Sequence, residues 1–187
     1  MNFVATALSG VTIVEPDVFP DERGFFLETW RADKYARGGI EARFVQDNHS
    51  RSACGTIRAL HAQRARSQGK LVRVIAGTIL DVVADIRRGS PTWLKWIAVE
   101  LSAGNFRQIY VPPGFAHGIC ITSEFAEVEY KCTDYYDPDD ELRIAWNDRE
   151  IGVQWPVREP ILSPKDRAAP PLAAQLDLLP IWPGEPR

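Results

Sequence analysis

Between residues 11 and 136 the chain is a succession of short β-type runs cut by turn residues, and this pattern decides most of what it can fold into. The candidate strands are Val11–Val14, Phe25–Trp30, Phe44–His49, Thr56–Ala62, Lys70–Ile75, Thr78–Ile86, Lys95–Leu101, Phe106–Val111, Gly118–Thr122 and Phe125–Thr133. They are rich in Val, Ile, Thr and aromatic residues, which suit a pleated, half-buried surface. Gly55, Gly69, Gly77, Gly89-Ser90-Pro91, Gly104-Asn105 and Pro112-Pro113-Gly114 mark many of the gaps. Ala76-Gly77 reads as a tight hairpin between two such runs. Helical signal is confined to Arg31–Arg37, stopped by Gly38-Gly39, with a turn at Asp148–Ile151. Many short strands and few helices predict an all-β sandwich or barrel, and no repeat of fixed period supports a propeller or solenoid.

After Trp155 the texture changes to proline-rich coil, but Ile161, Leu162, Leu172 and Trp182 predict that it packs back on the barrel. The expected organisation is one domain over residues 1–187, with a core over about 11–155 and a wrapped arm over 156–187. With 22 Lys and Arg against 25 Asp and Glu, the net charge of −3 argues against a nucleic-acid-binding protein. No apolar run approaches the roughly 20 residues that span a bilayer, so no membrane association is expected. The segment Met1–Thr6 lacks the basic and apolar regions of a secretion signal, giving a cytoplasmic expectation. Cys54, Cys120 and Cys132 are odd in number and form no C-x-x-C pair, so they read as small hydrophobes in a reducing compartment.

Polar residues on the inward face of a strand carry the functional signal. In Phe125–Thr133, alternation puts Ala126, Val128, Tyr130 and Cys132 on one face and Glu127, Glu129 and Lys131 on the other. In Thr56–Ala62 it groups Ile57, Ala59, His61 and Gln63, so His61 is expected inward. An inward Tyr and an inward His can serve as proton donor and acceptor, although each taken singly reads first as a satisfied core residue. Strict alternation sets Arg58 opposite His61 and Arg73 opposite Lys70, and only a bulge or strand end could re-aim them. Arg58, embedded in a strand with no acidic neighbour in sequence, calls for an anionic partner. Pro112-Pro113-Gly114-Phe115-Ala116-His117-Gly118 shapes a turn that presents His117, and is similar to the second half of the cupin signature. The first half would supply two histidines and a Glu, whereas this chain has His61-Ala62-Gln63. A metal site is therefore not expected.

Longer motifs follow in order along the chain. They are Phe19-Pro20-Asp21-Glu22-Arg23-Gly24-Phe25-Phe26-Leu27-Glu28, Phe44-Val45-Gln46-Asp47-Asn48-His49-Ser50, Gly55–Gln63, Gln68–Val74, Val111–Gly118, Glu129-Tyr130-Lys131, Thr133-Asp134-Tyr135-Tyr136 and Ile161-Leu162-Ser163-Pro164-Lys165-Asp166. In sequence, order and spacing they resemble the dTDP-4-dehydrorhamnose 3,5-epimerase family, nearly end to end from Val18 to Leu172. The resemblance implies a cofactor-free epimerase on a cupin-type jelly roll, acting as a homodimer on a nucleotide-linked 4-keto-6-deoxyhexose. His61 matches the general base and Asp166 the carboxylate that orients it. Lys70 matches the cation beside the C4 oxygen and Tyr130 the general acid. Arg23, Glu28, Gln46, Asp47 and Asn48 match nucleotide-holding positions, the first two reaching in from the neighbouring subunit. Arg58 and His117 match groups near the diphosphate and sugar, Tyr136 an aromatic stacking on the base, and Glu141 a polar binding position.

The chain departs from the family pattern at Ala59, where Gly is usual, at Ala62, where a bulkier residue is usual, and in a shortened loop over residues 64–68. Ile119-Cys120-Ile121 also differs. All are expected around the sugar pocket and bear on whether C3, C5 or both are inverted. Remaining alternatives are a mono-epimerase on a related nucleotide sugar, a metal-dependent cupin enzyme, and a non-catalytic sugar-binding cupin.

Overall fold

The computed structural model describes residues 1–184, so the last three residues of the expected arm, Pro186 among them, lie outside the described residues. In chain order the strands are β1 (Asn2–Ala5), β2 (Thr12–Glu15), β3 (Val18–Asp21) and β4 (Gly24–Leu27), then helix α1 (Ala32–Arg37). There follow β5 (Gln46–Ala53), β6 (Ile57–Gln63), β7 (Lys70–Ala76), β8 (Thr78–Asp85), β9 (Trp96–Ser102), β10 (Gln108–Val111), β11 (Phe115–Ile121), β12 (Phe125–Cys132) and β13 (Glu141–Arg143). A short helix α2 (Pro164–Arg167) and a 3-10 helix (Leu172–Leu178) complete the set.

Two antiparallel sheets face one another, one of order β1-β2-β10-β7-β12-β5 and one of order β13-β6-β11-β8-β9. β3 and β4 form a separate hairpin. This is the all-β architecture expected from the strand pattern, and it is the cupin-type jelly roll that the resemblance implied. The inward alternate residues of both sheets interdigitate: Val72, Val74, Ile109, Val111, Ala126 and Val128 from the larger sheet meet Ile79, Val83, Leu101, Ile119 and Ile121 from the smaller. Burial of such side chains stabilises by about 1.5–3 kcal/mol each relative to exposure.

Parts of both outer faces are also covered. Behind the smaller sheet, Ile57, Ala59, Leu60, Ala62, Val82, Ala84, Cys120 and Leu142 pack against Leu172 and Leu179 from the C-terminal segment. Behind the larger sheet, Val14 and Leu71 pack against Tyr35 of α1, Ile40, Trp30 and Phe44. Residues 156–184 therefore lie against the barrel, although Ile161 itself contributes a backbone bridge to Thr56 and leaves its side chain exposed.

The hairpin expected at Ala76-Gly77 is not formed. β7 and β8 belong to opposite sheets, and Gly77 is the corner by which the chain crosses between them. Its φ is +78°, and a Cβ there would sit 2.0 Å from the Phe125 carbonyl oxygen, so only glycine fits. β11 starts at Phe115 rather than Gly118, which makes His117 an interior strand residue. Three strands were not anticipated: β1 and β3 are short, β3 contains Pro20, and β13 has a single apolar residue, Leu142.

Candidate active site

A cavity of about 120 Å³ lies between the sheets, lined by Ser50, Arg58, His61, Lys70, His117 and Tyr130 with Val72, Ile119 and Val128. Through His61, Lys70 and Tyr130 it continues into a wider space of about 250 Å³ lined by Gln46, Asn48, Gln63, Gln68, Tyr136 and Glu141, among others.

The way β6 delivers two residues to this cavity differs from simple alternation. His61 pairs with His117, but Arg58 pairs with Ile119, so three steps along β6 are matched by two along β11. The extra residue is a bulge at Ala59–Leu60. It turns Ile57 and Ala59 to the cluster behind the sheet and leaves Arg58 and His61 both facing the cavity. The strands approach closely here: a Cβ on Gly118 would lie 2.4 Å from that of Ala59. Ala59 and Cys120 thus sit away from the cavity, correcting their expected place around the sugar pocket, whereas Ile119, Ala62 and Gln68 do line it.

Asp166 comes from α2, whose geometry aims its carboxylate. Ser163 caps the helix, with Pro164 following at a position where no N–H is needed. The Ser163 hydroxyl accepts from the Asp166 N–H at 3.1 Å and donates to Asp166 Oδ2 at 2.9 Å. That leaves Oδ1, which lies 2.6 Å from His61 Nε2. With Nε2–H donating to Asp166, neutral His61 carries its lone pair on Nδ1. Burial would raise the Asp166 carboxyl, but the His61 and Ser163 hydrogen bonds win and hold it below its ordinary 3.8. Burial pushes His61 below its ordinary 6.5, opposed by Asp166 and assisted by the cations Lys70 and Arg143.

Lys70 opens β7 and shares its inward face with Val72 and Val74. Burial lowers its amine from the usual 10.5. Arg73 points outward and pairs with Glu129 at 2.6 Å, as alternation required. Tyr130 faces inward from β12 as expected, and burial raises its phenol above 10. Glu127 and Lys131 take the outer face, paired with Arg51 and Asp47.

The larger space is bordered by amides and an aromatic. Gln46 donates to Asn48 Oδ1 at 3.0 Å and accepts from the Tyr136 N–H at 3.0 Å. Tyr136 Oη donates to Glu141 Oε2 at 2.9 Å. Arg58 donates from Nε and Nη2 to Ser52 Oγ.

Of the expected site residues, the fold brings together His61, Asp166, Lys70, Tyr130, Arg58, His117, Gln46, Asn48, Tyr136 and Glu141. Three stand apart. Arg23 is at the tip of the β3–β4 hairpin, 84% exposed and paired with Asp21. Glu28 pairs with Lys34 at 2.8 Å. Asp47 turns outward to Lys131, because β5 alternates Gln46, Asn48 and Ser50 toward the cavity. Sequence reasoning passed over Asp81, which is fully buried and 2.9 Å from His117 Nε2. Its signal was present: a lone acid between Ile79 and Val83 on the inward face of an apolar strand. Ser163 and Arg143 were also passed over. Among the described residues no group of three or more His, Cys, Asp or Glu is placed to hold a metal ion, and no helix is long and apolar enough to cross a membrane.

Fold and cavity together define a cupin-type jelly roll with a titratable pocket between its sheets. The family model described as dTDP-4-dehydrorhamnose 3,5-epimerase matches residues 5–174. A dTDP-4-dehydrorhamnose 3,5-epimerase of Methanothermobacter thermautotrophicus is 47% identical over 174 residues, covering 91% of this chain and 94% of that protein. One from Neisseria gonorrhoeae is 50% identical over 169 residues and 90% of this chain, which spans about half, 52%, of that longer relative. The crystal structure of dTDP-6-deoxy-D-glucose-3,5-epimerase from Legionella pneumophila in complex with dTDP-4-keto-L-rhamnose superposes with a TM-score of 0.94 at 47% identity, covering 98% of this chain and 99% of that one. The chain belongs to the dTDP-4-dehydrorhamnose 3,5-epimerase family.

Proposed function

We propose that this chain inverts C3 and C5 of dTDP-4-dehydro-6-deoxy-D-glucose to give dTDP-4-dehydro-L-rhamnose. The C4 ketone acidifies the hydrogens on both neighbouring carbons. His61 Nδ1 takes the proton from one of them, the C–H electron pair forms a C=C bond, and charge moves to the C4 oxygen as an enolate. Asp166 stabilises the imidazolium that results, and the Lys70 ammonium faces the developing oxyanion. Tyr130 then donates its phenolic proton to the opposite face of the same carbon, the ketone re-forms, and the centre is inverted. Solvent restores the Tyr130 proton and accepts the one on His61, so each inversion removes one proton and returns one.

The observation that carries this reading is the opposed placement of acid and base: His61 and Asp166 approach from the smaller sheet and the C-terminal segment, Tyr130 and Lys70 from the larger sheet. Such proton transfer needs no coenzyme or metal. Gln46, Asn48, Arg58, His117, Tyr136 and Glu141 hold the nucleotide, diphosphate and sugar, and Asp47 contributes through its main chain.

Arg23 and Glu28 act in the site of a neighbouring copy within a homodimer. Phe19, Phe25 and Phe26, 58%, 60% and 71% exposed on the same hairpin, support that reading, since such a patch calls for a partner. The chain works as one domain in the cytoplasm, a reading supported by Cys120 and Cys132 being buried and unpaired.

The test is incubation with the 4-keto-6-deoxyglucose nucleotide in deuterated water. Label at both C3 and C5 is expected; label at one centre makes the chain a mono-epimerase, and none overturns the reading. His61→Ala should abolish uptake at both centres while dTDP binding persists.

A further inference from the structure

Three side chains at the nucleotide end of the cavity form a hydrogen-bonded series, and one of them, Arg143, has no part in the reaction above. Tyr136 Oη and Arg143 Nη2 both donate to Glu141 Oε2. Glu141 and Arg143 flank Leu142 on β13, and Leu142 is buried in the cluster behind the sheet. Alternation therefore turns Glu141 and Arg143 together toward the cavity side. Register sets Glu141 opposite Gln63 and Arg143 opposite His61. The C-terminal segment fixes this edge strand, because Gln175 Nε2 donates to the Arg143 carbonyl at 2.8 Å. Only 10% of the Glu141 side chain and 22% of that of Arg143 are accessible. A carboxylate this enclosed, at the mouth of a site for a doubly anionic diphosphate, needs a permanent counter-charge, and a guanidinium supplies it.

We propose that Arg143 is a positioning residue that ties the nucleotide end of the pocket to the base: it fixes Glu141 and, through it, the Tyr136 phenol, and it sets a second cation beside the His61–Asp166 pair. This rests on the reading of His61 as the base.

Several groups face His61. Asp166 approaches from α2, Arg143 and Glu141 from β13, His117 from β11 with Asp81 of β8 behind it, Lys70 from β7, Tyr130 from β12 and Arg58 from β6 itself. Lys70 and Arg143 oppose its protonation and Asp166 favours it. Removing Arg143 deletes one of the two opposing cations and also frees Glu141.

The test compares the parent protein with Arg143→Met and Arg143→Lys. It reads kcat and KM against pH and, independently of turnover, the His61 imidazole titration by NMR. Arg143→Met should move the His61 titration and the acid limb of kcat/KM upward by about 0.5–1 pH unit, the scale of a unit charge one strand away. It should raise KM by about threefold or more through loss of the Glu141 contact. Arg143→Lys, which keeps the charge but not the fork, should restore the titration while KM stays raised. An unmoved His61 titration in Arg143→Met overturns the proposal whatever happens to KM, because a merely structural role would leave it unmoved. If Arg143→Met fails to fold, the polar Arg143→Gln takes its place: an upward-moved His61 titration supports the proposal, and an unmoved one overturns it. A parent protein that takes up no label from deuterated water would instead sink the epimerase reading.

Discussion

His61 and His117 stand directly opposite one another across β6 and β11, and each holds its own carboxylate. The partner of His117, Asp81, comes from the adjacent strand β8 and is fully buried. The partner of His61 comes from α2, outside both sheets. Neighbouring imidazoles are thus oriented by different parts of the molecule, one by the barrel and one by the segment wrapped behind it.

Asp166→Asn replaces the acceptor of the His61 Nε2–H by an amide that can present its NH2 to the ring. The imidazole then loses its orienting charge and its fixed tautomer. We expect kcat to fall by about 10²–10⁴ with dTDP affinity close to that of the parent protein. Steady-state kinetics and calorimetric titration with dTDP check both halves, and unchanged kcat would remove Asp166 from the mechanism.

Tyr130→Phe keeps the ring packing in the cavity and deletes the proton donor. Proton abstraction by His61 should persist, so deuterium still enters from solvent, but inversion should fall by about 10²-fold or more. Mass spectrometry for label and NMR for configuration separate the two. Full inversion at the parental rate would assign the acid elsewhere.

The pH profile follows from the environments of three groups. In the proposed mechanism His61 must be neutral to accept a proton, and burial sets its transition below 6.5, so kcat/KM should fall only at pH values below that. Lys70 must be charged, and burial brings its loss of charge below 10.5, while the Tyr130 phenol is held above 10. The alkaline limb should therefore carry the loss of charge on Lys70, and Tyr130→Phe, read in the residual exchange rate, separates that loss from ionisation of the phenol. Folding stability is linked in the same sense. A His61 lowered in the folded state is protonated more readily when unfolded, so stability is lost as pH falls from 6.5 through the folded value. Asp166, also lowered, adds stability above 3.8 that disappears as pH falls further. Thermal melts between pH 7 and 3 should show both losses, the upper one absent in His61→Asn.

Gly77→Ala tests the corner between the sheets. The substitution forces a positive φ on an L residue, costing about 1–2 kcal/mol, and places its Cβ 2.0 Å from the Phe125 carbonyl oxygen. A loss of more than about 2 kcal/mol is expected, read as a fall in Tm of about 5 °C or more. A parental melting curve would show that the corner tolerates a side chain.

Regular strands were readable from alternation alone. β12 runs without interruption at Tyr130, and its inward and outward sets match the period-two pattern. β6 was not readable in this way, because the bulge at Ala59–Leu60 shifts the faces of Ile57, Arg58 and Ala59 relative to His61. Alternation put His61 inward in company with Ile57 and Ala59, yet those two face the opposite cluster. Gly77 misled for a related reason: a glycine with positive φ serves a hairpin and a sheet-to-sheet corner equally, and only long-range pairing separates them. Asp81 and Arg143 acquire their roles from partners on other strands, and sequence adjacency carries none of that. Asp166 was recognisable only from its motif, since no periodicity links a short capped helix to a histidine more than a hundred positions earlier.

The dependence of His61 on Asp166 has a consequence in time. The barrel strands and most of the groups lining the cavity precede residue 144, so they leave the ribosome before the base has its partner. A chain interrupted between Arg143 and Asp166 would lack both the carboxylate that orients the imidazole and the Leu172 and Leu179 side chains that cover the smaller sheet. On the proposed mechanism, competence for proton abstraction is therefore acquired last, when the capped turn at Ser163 docks and brings Asp166 to His61.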